Sequence, residues 1–364
     1  MRILAVDVGT GTQDILLFDS SGPIENSVKL VMPSATSIAA GRIRRATAAA
    51  RPLLLTGVIQ GGGPCHWALE DHLRAGHAAC ATPEAARTFD DDLVRVGAMG
   101  VQVVSEDEAS RLGDVERIEL RDLDLGAIRA ALGAFDVSGA FDGLALGCLD
   151  HGDSPPDYSD RLFRFDHLRR VVERENDLLA FAYLPDELPE YLTRARTLMR
   201  EAAGEGKALF LDTGPAAALG ALQDERVAAA DEQLVLNLGN MHALAFHLRG
   251  TRIVSLYEHH TGEMTTEQIE DFTERLATRS LAHEEVFGSK GHGVYYPADA
   301  SSNGKFPLLA VTGPQRSRLR GSRLEPYFAT PHGDMMISGC FGLVRAFGTR
   351  YPEHAEEIER ALDN

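Results

Sequence analysis

Cysteine is scarce in this 364-residue chain: Cys65, Cys80, Cys148 and Cys340 are the whole complement, with no C-x-x-C spacing. That spread suggests neither a disulfide framework nor a zinc ribbon, and a reduced, cytoplasmic setting is the expectation. Positive charge is also short. Lys and Arg number 36 against 54 Asp and Glu, a formal net charge of -18. No basic run interrupts that balance, which argues against a general nucleic-acid surface, so no nucleic-acid partner is expected. Long apolar runs are missing too. No stretch approaches the about 18 residues of a membrane span, and a strand pattern starts directly after Arg2, so neither a signal peptide nor a membrane partner is expected. Tryptophan occurs once, as Trp67, and is expected in core or interface packing.

What is present is alternation. Apolar runs at 2–8, 14–18 and 28–32 read as strands, followed by helical periodicity over 36–50 and a fourth strand in LLLTGVIQ. WALEDHLRAG reads as a helix, HAACAT as a strand, PEAARTFDDDLVRV as a helix with proline in its first turn, and FDGLALGCLD as a strand. Polar helical segments over 160–203 lead to the strand KALFLDT. The class is α/β. The length suits two cored lobes, placed at 1–228 and 229–364.

The second lobe opens as the first does. In MRILAVDVGTGTQDILLFDSSG an apolar strand enters a glycine loop and a second strand leaves it; EQLVLNLGN followed by MHALAFHL repeats that plan. TRIVSLYEHH is a third strand, Thr265 and Gln268 form a capping box before the helix QIEDFTERLATRSL, a glycine- and histidine-rich loop follows, FPLLAVTG is a strand, and MMISGCFGLVRAF closes as a helix.

A turn whose backbone N–H groups converge forms a concavity for an anion, and glycine lets the chain approach closely. The global charge would repel a polyphosphate, so any phosphate site needs local donors and a divalent cation. Gly9, Thr10, Gly11 and Thr12 supply amides and hydroxyls, and Asp7 at the strand end is the candidate to hold magnesium through its water shell. One such loop alone also reads as an ordinary hairpin; the second loop, at Gly239, Asn240 and Met241, favours the phosphate reading.

The pattern resembles the superfamily of actin, sugar kinases, acetate kinase and heat-shock chaperone ATPases. Asp7-Val8-Gly9-Thr10-Gly11-Thr12-Gln13-Asp14 resembles its first phosphate motif and Asn237-Leu238-Gly239-Asn240-Met241-His242 its second. Gly214 to Leu222 resembles the small-residue connecting helix, and Leu309-Ala310-Val311-Thr312-Gly313 the adenosine motif. The resemblance implies two duplicated actin-like (ribonuclease H-like) lobes around a nucleotide cleft, with ATP and Mg2+ as cofactors and kinase or ATPase activity. Asn237 stands where relatives usually carry a second aspartate, Pro314 follows Gly313 where they carry glycine, and no glutamate precedes Pro215. The wording of MPSATSIAA, the GGGP loop, LDHGD and LDTGPAAALGAL is further similar to a family in this superfamily labelled pyruvate formate-lyase activating enzymes. The iron–sulfur radical chemistry of that label needs three closely spaced cysteines, which this chain does not have.

For the chemical step, Asp150 and His151 follow an apolar strand whose carboxyl end opens on the crevice of a parallel sheet. Asp150 is the candidate base, although LDHGD reads equally as a polar turn satisfying its own backbone. Asp212, at the next strand end, is the alternative base or a magnesium–water ligand. Gly61, Gly62, Gly63 and His66 are candidates for binding an acidic substrate at a helix N-terminus, the other reading being a lobe-edge loop. His259, His260, Glu263 and His292 offer metal-type side chains in loops, but their spacing matches no familiar site and the solvent-facing reading is preferred over ligation; a zinc site joining Cys65, Cys148 and His151 is not expected. The partner is a small-molecule acceptor or, if the protein is a nucleotide-dependent switch, a second enzyme that reads the angle between the lobes; a third alternative is a catalytically silent relative that keeps the clamp for another phosphorylated or acidic ligand.

Overall fold

The computed structural model describes residues 1–363. The chain starts as β1 (Arg2–Val8), β2 (Thr12–Asp19) and β3 (Val28–Pro33). An excursion then carries β4 (Leu53–Gly57), β5 (Ala79–Ala81), β6 (Val101–Val103) and β7 (Glu116–Leu120), before the chain returns with β8 (Gly143–Cys148), β9 (Ala182–Tyr183) and β10 (Lys207–Asp212). The second half supplies β11 (Gln233–Leu238), β12 (His242–Arg249), β13 (Arg252–His260), β14 (Gly293–Tyr295), β15 (Leu308–Thr312) and β16 (Tyr327–Phe328).

Two six-stranded sheets result, in the orders β3-β2-β1-β8-β10-β9 and β14-β13-β12-β11-β15-β16. In each, two antiparallel pairings are followed by parallel ones: β3, β2, β1, β8 and β10 in the first correspond to β13, β12, β11, β15 and β16 in the second. The fold is therefore α/β with the duplicated actin-like plan. The excursion forms its own parallel four-stranded sheet, β6-β5-β4-β7, with a separate core around Ile43, Leu53, Leu69 and Ile118.

β1 shows why the strands pack on both sides. Ile3 and Ala5 enter one core while Leu4, Val6 and Val8 enter another, the period of two expected of a strand covered on both faces. The first of these cores is shared between the two sheets: Phe18 and Leu209 meet Val235 and Phe246 through two helices, Thr213–Ala221 and Ser338–Arg350. Every residue of Thr213–Ala221 from Gly214 on is buried. Small residues let its backbone press against its neighbour: a Cβ at Gly220 would lie 2.6 Å from the Ser338 carbonyl carbon, and one at Gly342 would lie 2.8 Å from that of Ala216.

Three local expectations need correction. PEAARTFDDDLVRV is not one helix but two, Pro83–Ala86 and Leu93–Ala98. The three aspartates between them prefer to bond backbone amides, and Asp92 caps the second helix by accepting from Val94 N at 2.9 Å. Trp67 is 49% exposed, because helix Pro64–Arg74 buries the face carrying Cys65, Ala68, Leu69 and His72. The glycine- and histidine-rich stretch after residue 281 is not simply a loop; it contains helix His283–Gly288 and β14. The capping box at Thr265 and Gln268 is present, at the start of helix Thr266–Ala277. No described helix is long and apolar enough to cross a membrane.

Candidate functional site

The two glycine hairpins make the same turn. Gly9 N donates to Thr12 O at 3.0 Å, and Gly239 N donates to His242 O at 3.0 Å. In both, a Cβ on the glycine would meet that carbonyl oxygen at 2.8 Å, so glycine is required for the same steric reason in each copy. The hairpins face each other: a Cβ on Gly11 would lie 2.8 Å from Asn240 Cγ, and Gly9, Thr10 and Thr12 line one cavity with Gly239, Asn240 and Met241. Gly313 lies on the same cavity, with φ +93°, packed against Asn237 Oδ1 and Leu238 O, where a Cβ would meet both at 2.5 Å.

Asp7 forms the floor. Thr213 Oγ1 donates to its Oδ1 at 2.7 Å, and the close approach of Gly339, whose Cβ would lie 2.9 Å from Asp7 Cγ, seals it from below. Burial raises its pKa to about 6, against the lowering effect of the Thr213 bond and with the charge of Asp212 adding to the rise. Directly across the strand pair in register stands Asp14, a residue with no role assigned from sequence. Its Oδ1 is buried without a hydrogen-bond partner, and burial followed by the Asp7 charge lifts its pKa to about 8. Two facing carboxylates at the cavity are a donor set suited to a hard divalent cation such as magnesium. The second lobe lacks this pair, since its register partners are Asn237 and Leu244.

Arg194 was not predicted either. It lines the cavity from the side, donates from Nη1 to Leu149 O at 2.7 Å, and pairs with Asp122 through Nε at 2.6 Å. No signal in the sequence marks it, because Asp122 and Leu149 lie far from it along the chain. As it stands the cavity volume is about 110 Å3, below the roughly 300 Å3 at which ligand pockets begin.

The other predicted residues are placed as follows. Asp150 lies two residues past β8 and outside the cavity: Gly152 N and Ala195 N donate to its two oxygens at 2.8 and 2.9 Å, so it satisfies the start of the helix that carries Arg194. Asp212, at the end of β10, accepts from Gly214 N at 3.2 Å and pairs with the fully buried Arg164, whose guanidinium also reaches Glu258 on β13 at 3.2 Å. The triad thus ties the first sheet to the second. Gly61 N donates to Asp122 Oδ1 at 3.1 Å, Gly62 O accepts from Thr36 Oγ1, and a Cβ on Gly63 would lie 3.4 Å from Thr10 Cγ2. The glycine loop therefore abuts the first hairpin without lining the cavity. His66 lies 3.6 Å from Glu70 and edge-on to Phe89, away from it.

The histidines require correction. His259 and His292 are buried rather than solvent-facing, and His260 is partly buried, because β13 and β14 place them inside the second lobe. His151 and His242, the first residue of β12, meet His260 and His292, whereas the ring of His259 bonds His260 O and Ser289 Oγ instead. Burial, followed by the charge of Arg164, lowers the His151 pKa to about 3, and burial depresses His242 well below the ordinary imidazole value. Glu263 is at the surface and pairs with Lys290 at 2.8 Å.

The two matching sheets and the facing hairpins define a protein of actin-like fold with a cleft between its lobes. Residues 60–318 match the family described as "Putative pyruvate format-lyase activating enzyme (DUF1786)", and the chain belongs to that family. No protein of curated function matches it in sequence. Among solved structures it is similar to a ROK hexokinase from Thermus thermophilus, at 14% identity and a TM-score of 0.25 over 70% of this chain. The chain spans about half of that hexokinase, 48% of its length. It is also similar to Lmo2764 of Listeria monocytogenes, described as "a putative N-acetylmannosamine kinase", at 12% identity and a TM-score of 0.34, covering 96% of this chain and 100% of that one. A Ppx/GppA family member from Aquifex aeolicus matches at 11% identity and a TM-score of 0.25, covering 77% of this chain and 61% of that one.

The family's description implies an iron–sulfur cluster, and the cysteines do not fit one. Cys65, Cys148 and Cys340 are buried, Cys80 is partly so, all four are free, and none joins the metal-ligand cluster found among the described residues.

Proposed function

We propose that this protein binds magnesium-ATP between its two glycine hairpins and transfers or hydrolyses the terminal phosphoryl group, with a small acidic or hydroxyl compound as acceptor. The observation that carries this reading is the repetition of one turn: Gly9 and Gly239 make the same hydrogen bond and face a common cavity from opposite lobes. Amides and the hydroxyls of Thr10 and Thr12 are the donors for phosphate oxygens. Asp7 is the residue to hold the magnesium, with Asp14 beside it, and Thr213 orients the Asp7 carboxylate. A bound magnesium ion supplies charge neutralisation at the phosphates. Arg194 adds a fixed cation at the wall. Asp150 acts by positioning the helix that bears Arg194, since both its oxygens are engaged by amides.

A second reading is a nucleotide-driven switch whose interlobe angle a partner enzyme reads. The asymmetry favours it, as Asn237 and Leu244 give the second lobe no carboxylate to match Asp7 and Asp14.

Thermal unfolding with and without magnesium-ATP tests both. Ligand at 100 times its dissociation constant adds about 2.7 kcal/mol of stability, and Asp7→Asn should abolish the shift. Phosphate release by the wild type then separates the readings: turnover supports the enzyme, and binding without turnover the switch. No thermal shift in the wild type would overturn both and leave a relative that binds some other acidic ligand.

A further inference from the structure

Four imidazoles from separate parts of the chain meet behind the second hairpin. His151 follows β8, His242 opens β12, His260 ends β13 and His292 directly precedes β14. One ring nitrogen from each lies within 4.8 Å of the other three, and the Nε2 atoms of His151 and His292 are 3.4 Å apart. Metal–nitrogen bonds of about 2.0–2.1 Å in a tetrahedron place neighbouring nitrogens roughly 3.4 Å apart. One edge of such a tetrahedron is therefore already formed, and the others close with small ring movements.

One ring nitrogen in the group is stranded: Nε2 of His242 is buried with no hydrogen-bond partner. The His292 side chain, whose Nε2 faces that of His151, is fully enclosed. Buried polar groups are normally paired, so an unmet nitrogen in this cluster points to a ligand that is not protein.

We infer that His151, His242, His260 and His292 form a binding site for one divalent first-row transition metal ion. Imidazole donors suit zinc, iron, nickel or copper, whereas magnesium and calcium prefer oxygen. The ion would sit in a wall between two chambers. His242 also lines the interlobe cavity, while His151 and His260 line a second cavity of about 460 Å3 that contains Asp91, Asp153 and Arg161. The site stands on the four rings alone and is independent of the nucleotide reading.

The full-length protein, stripped with chelator, should take up one equivalent of Co2+ per chain and develop the intense visible bands of tetrahedral nitrogen ligation; Zn2+ should displace it stoichiometrically. His292→Gln and His260→Gln should each weaken Zn2+ affinity at least 100-fold and remove the zinc-dependent rise in melting temperature. Octahedral, weak or superstoichiometric Co2+ binding by the wild type would overturn the site. So would full Zn2+ affinity in both folded variants. If neither variant folds, the stoichiometry and spectrum of the wild type decide alone. Loss of the magnesium-ATP shift with cobalt binding intact would sink the proposed function and leave this site standing.

Discussion

Gly342→Ala should loosen the helix seam that joins the two sheets. Gly342 lies on helix Ser338–Arg350 where it crosses helix Thr213–Ala221; an added Cβ would be 2.8 Å from the Ala216 carbonyl carbon and 3.0 Å from Gly220 N, with the Ala216 oxygen closer still. Carbon contacts are comfortable from about 3.5 Å, so the crossing must widen by roughly 1 Å, and the obstacles are backbone atoms that cannot rotate aside. Overpacking of this kind costs about 1–3 kcal/mol. Against it, alanine is better than glycine inside a helix by about 1 kcal/mol. Because the obstacles are rigid backbone atoms the packing cost falls in the upper part of its range, about 2–3 kcal/mol, and a net loss of about 1–2 kcal/mol is expected. Gly97→Ala supplies the control, since Gly97 sits in helix Leu93–Ala98 with nothing within 4 Å of its would-be Cβ, leaving the propensity gain unopposed. Urea or thermal unfolding should therefore move in opposite directions for the two variants. The same crossing helices begin at Thr213 and at Ser338–Gly339, around Asp7, so Gly342→Ala should also weaken magnesium-ATP binding. A Gly342→Ala protein as stable as the Gly97→Ala protein, with nucleotide affinity unchanged, would refute the reasoning.

Two further outcomes follow from buried charge. Arg164→Met removes the guanidinium shared by the buried Asp212 and Glu258 and should cost about 3–5 kcal/mol, read as a lower denaturation midpoint; wild-type stability would mean that the triad does not hold the sheets together. His167 is buried against Tyr191, and burial lowers its pKa from 6.5 to about 3. The unfolded chain therefore takes up a proton below pH 6.5 that the folded protein refuses until about pH 3, so this contribution is fully present above pH 6.5 and lost as pH falls through that window. The slope there is about 1.4 kcal/mol per pH unit. His167→Gln should flatten stability between pH 6 and 4, and an unchanged acid limb in denaturant titrations at those pH values would show that His167 does not set it.

Much of this architecture was readable in the chain itself because its causes are local. A strand ending in a glycine turn, as at Gly9 and again at Gly239, depends on residues within three or four positions, and so does the capping box at Thr265 and Gln268. Alternation along β1 and unbroken burial along β8 follow from the strand period and from a neighbour on each face. The misjudged segments show the limit of that logic. Apolar periodicity continues through Asp90, Asp91 and Asp92, where Asp92 instead caps the start of a new helix, and Trp67 is apolar although its helix turns it outward.

The sequence by itself determined the α/β alternation, the duplicated openings and the identity of the two glycine hairpins, since each rests on sterics and hydrogen bonds between near neighbours. Tertiary structure alone decided that Asp14 faces Asp7 at the cavity, that Arg194 reaches it and that Asp150 does not, and that His151 meets His292 from 141 positions away. Those meetings depend on how one sheet stacks on the other. That stacking is set by apolar surfaces and by glycine contacts such as Gly220 on Ser338, which carry no mark of which polar side chains they will bring together.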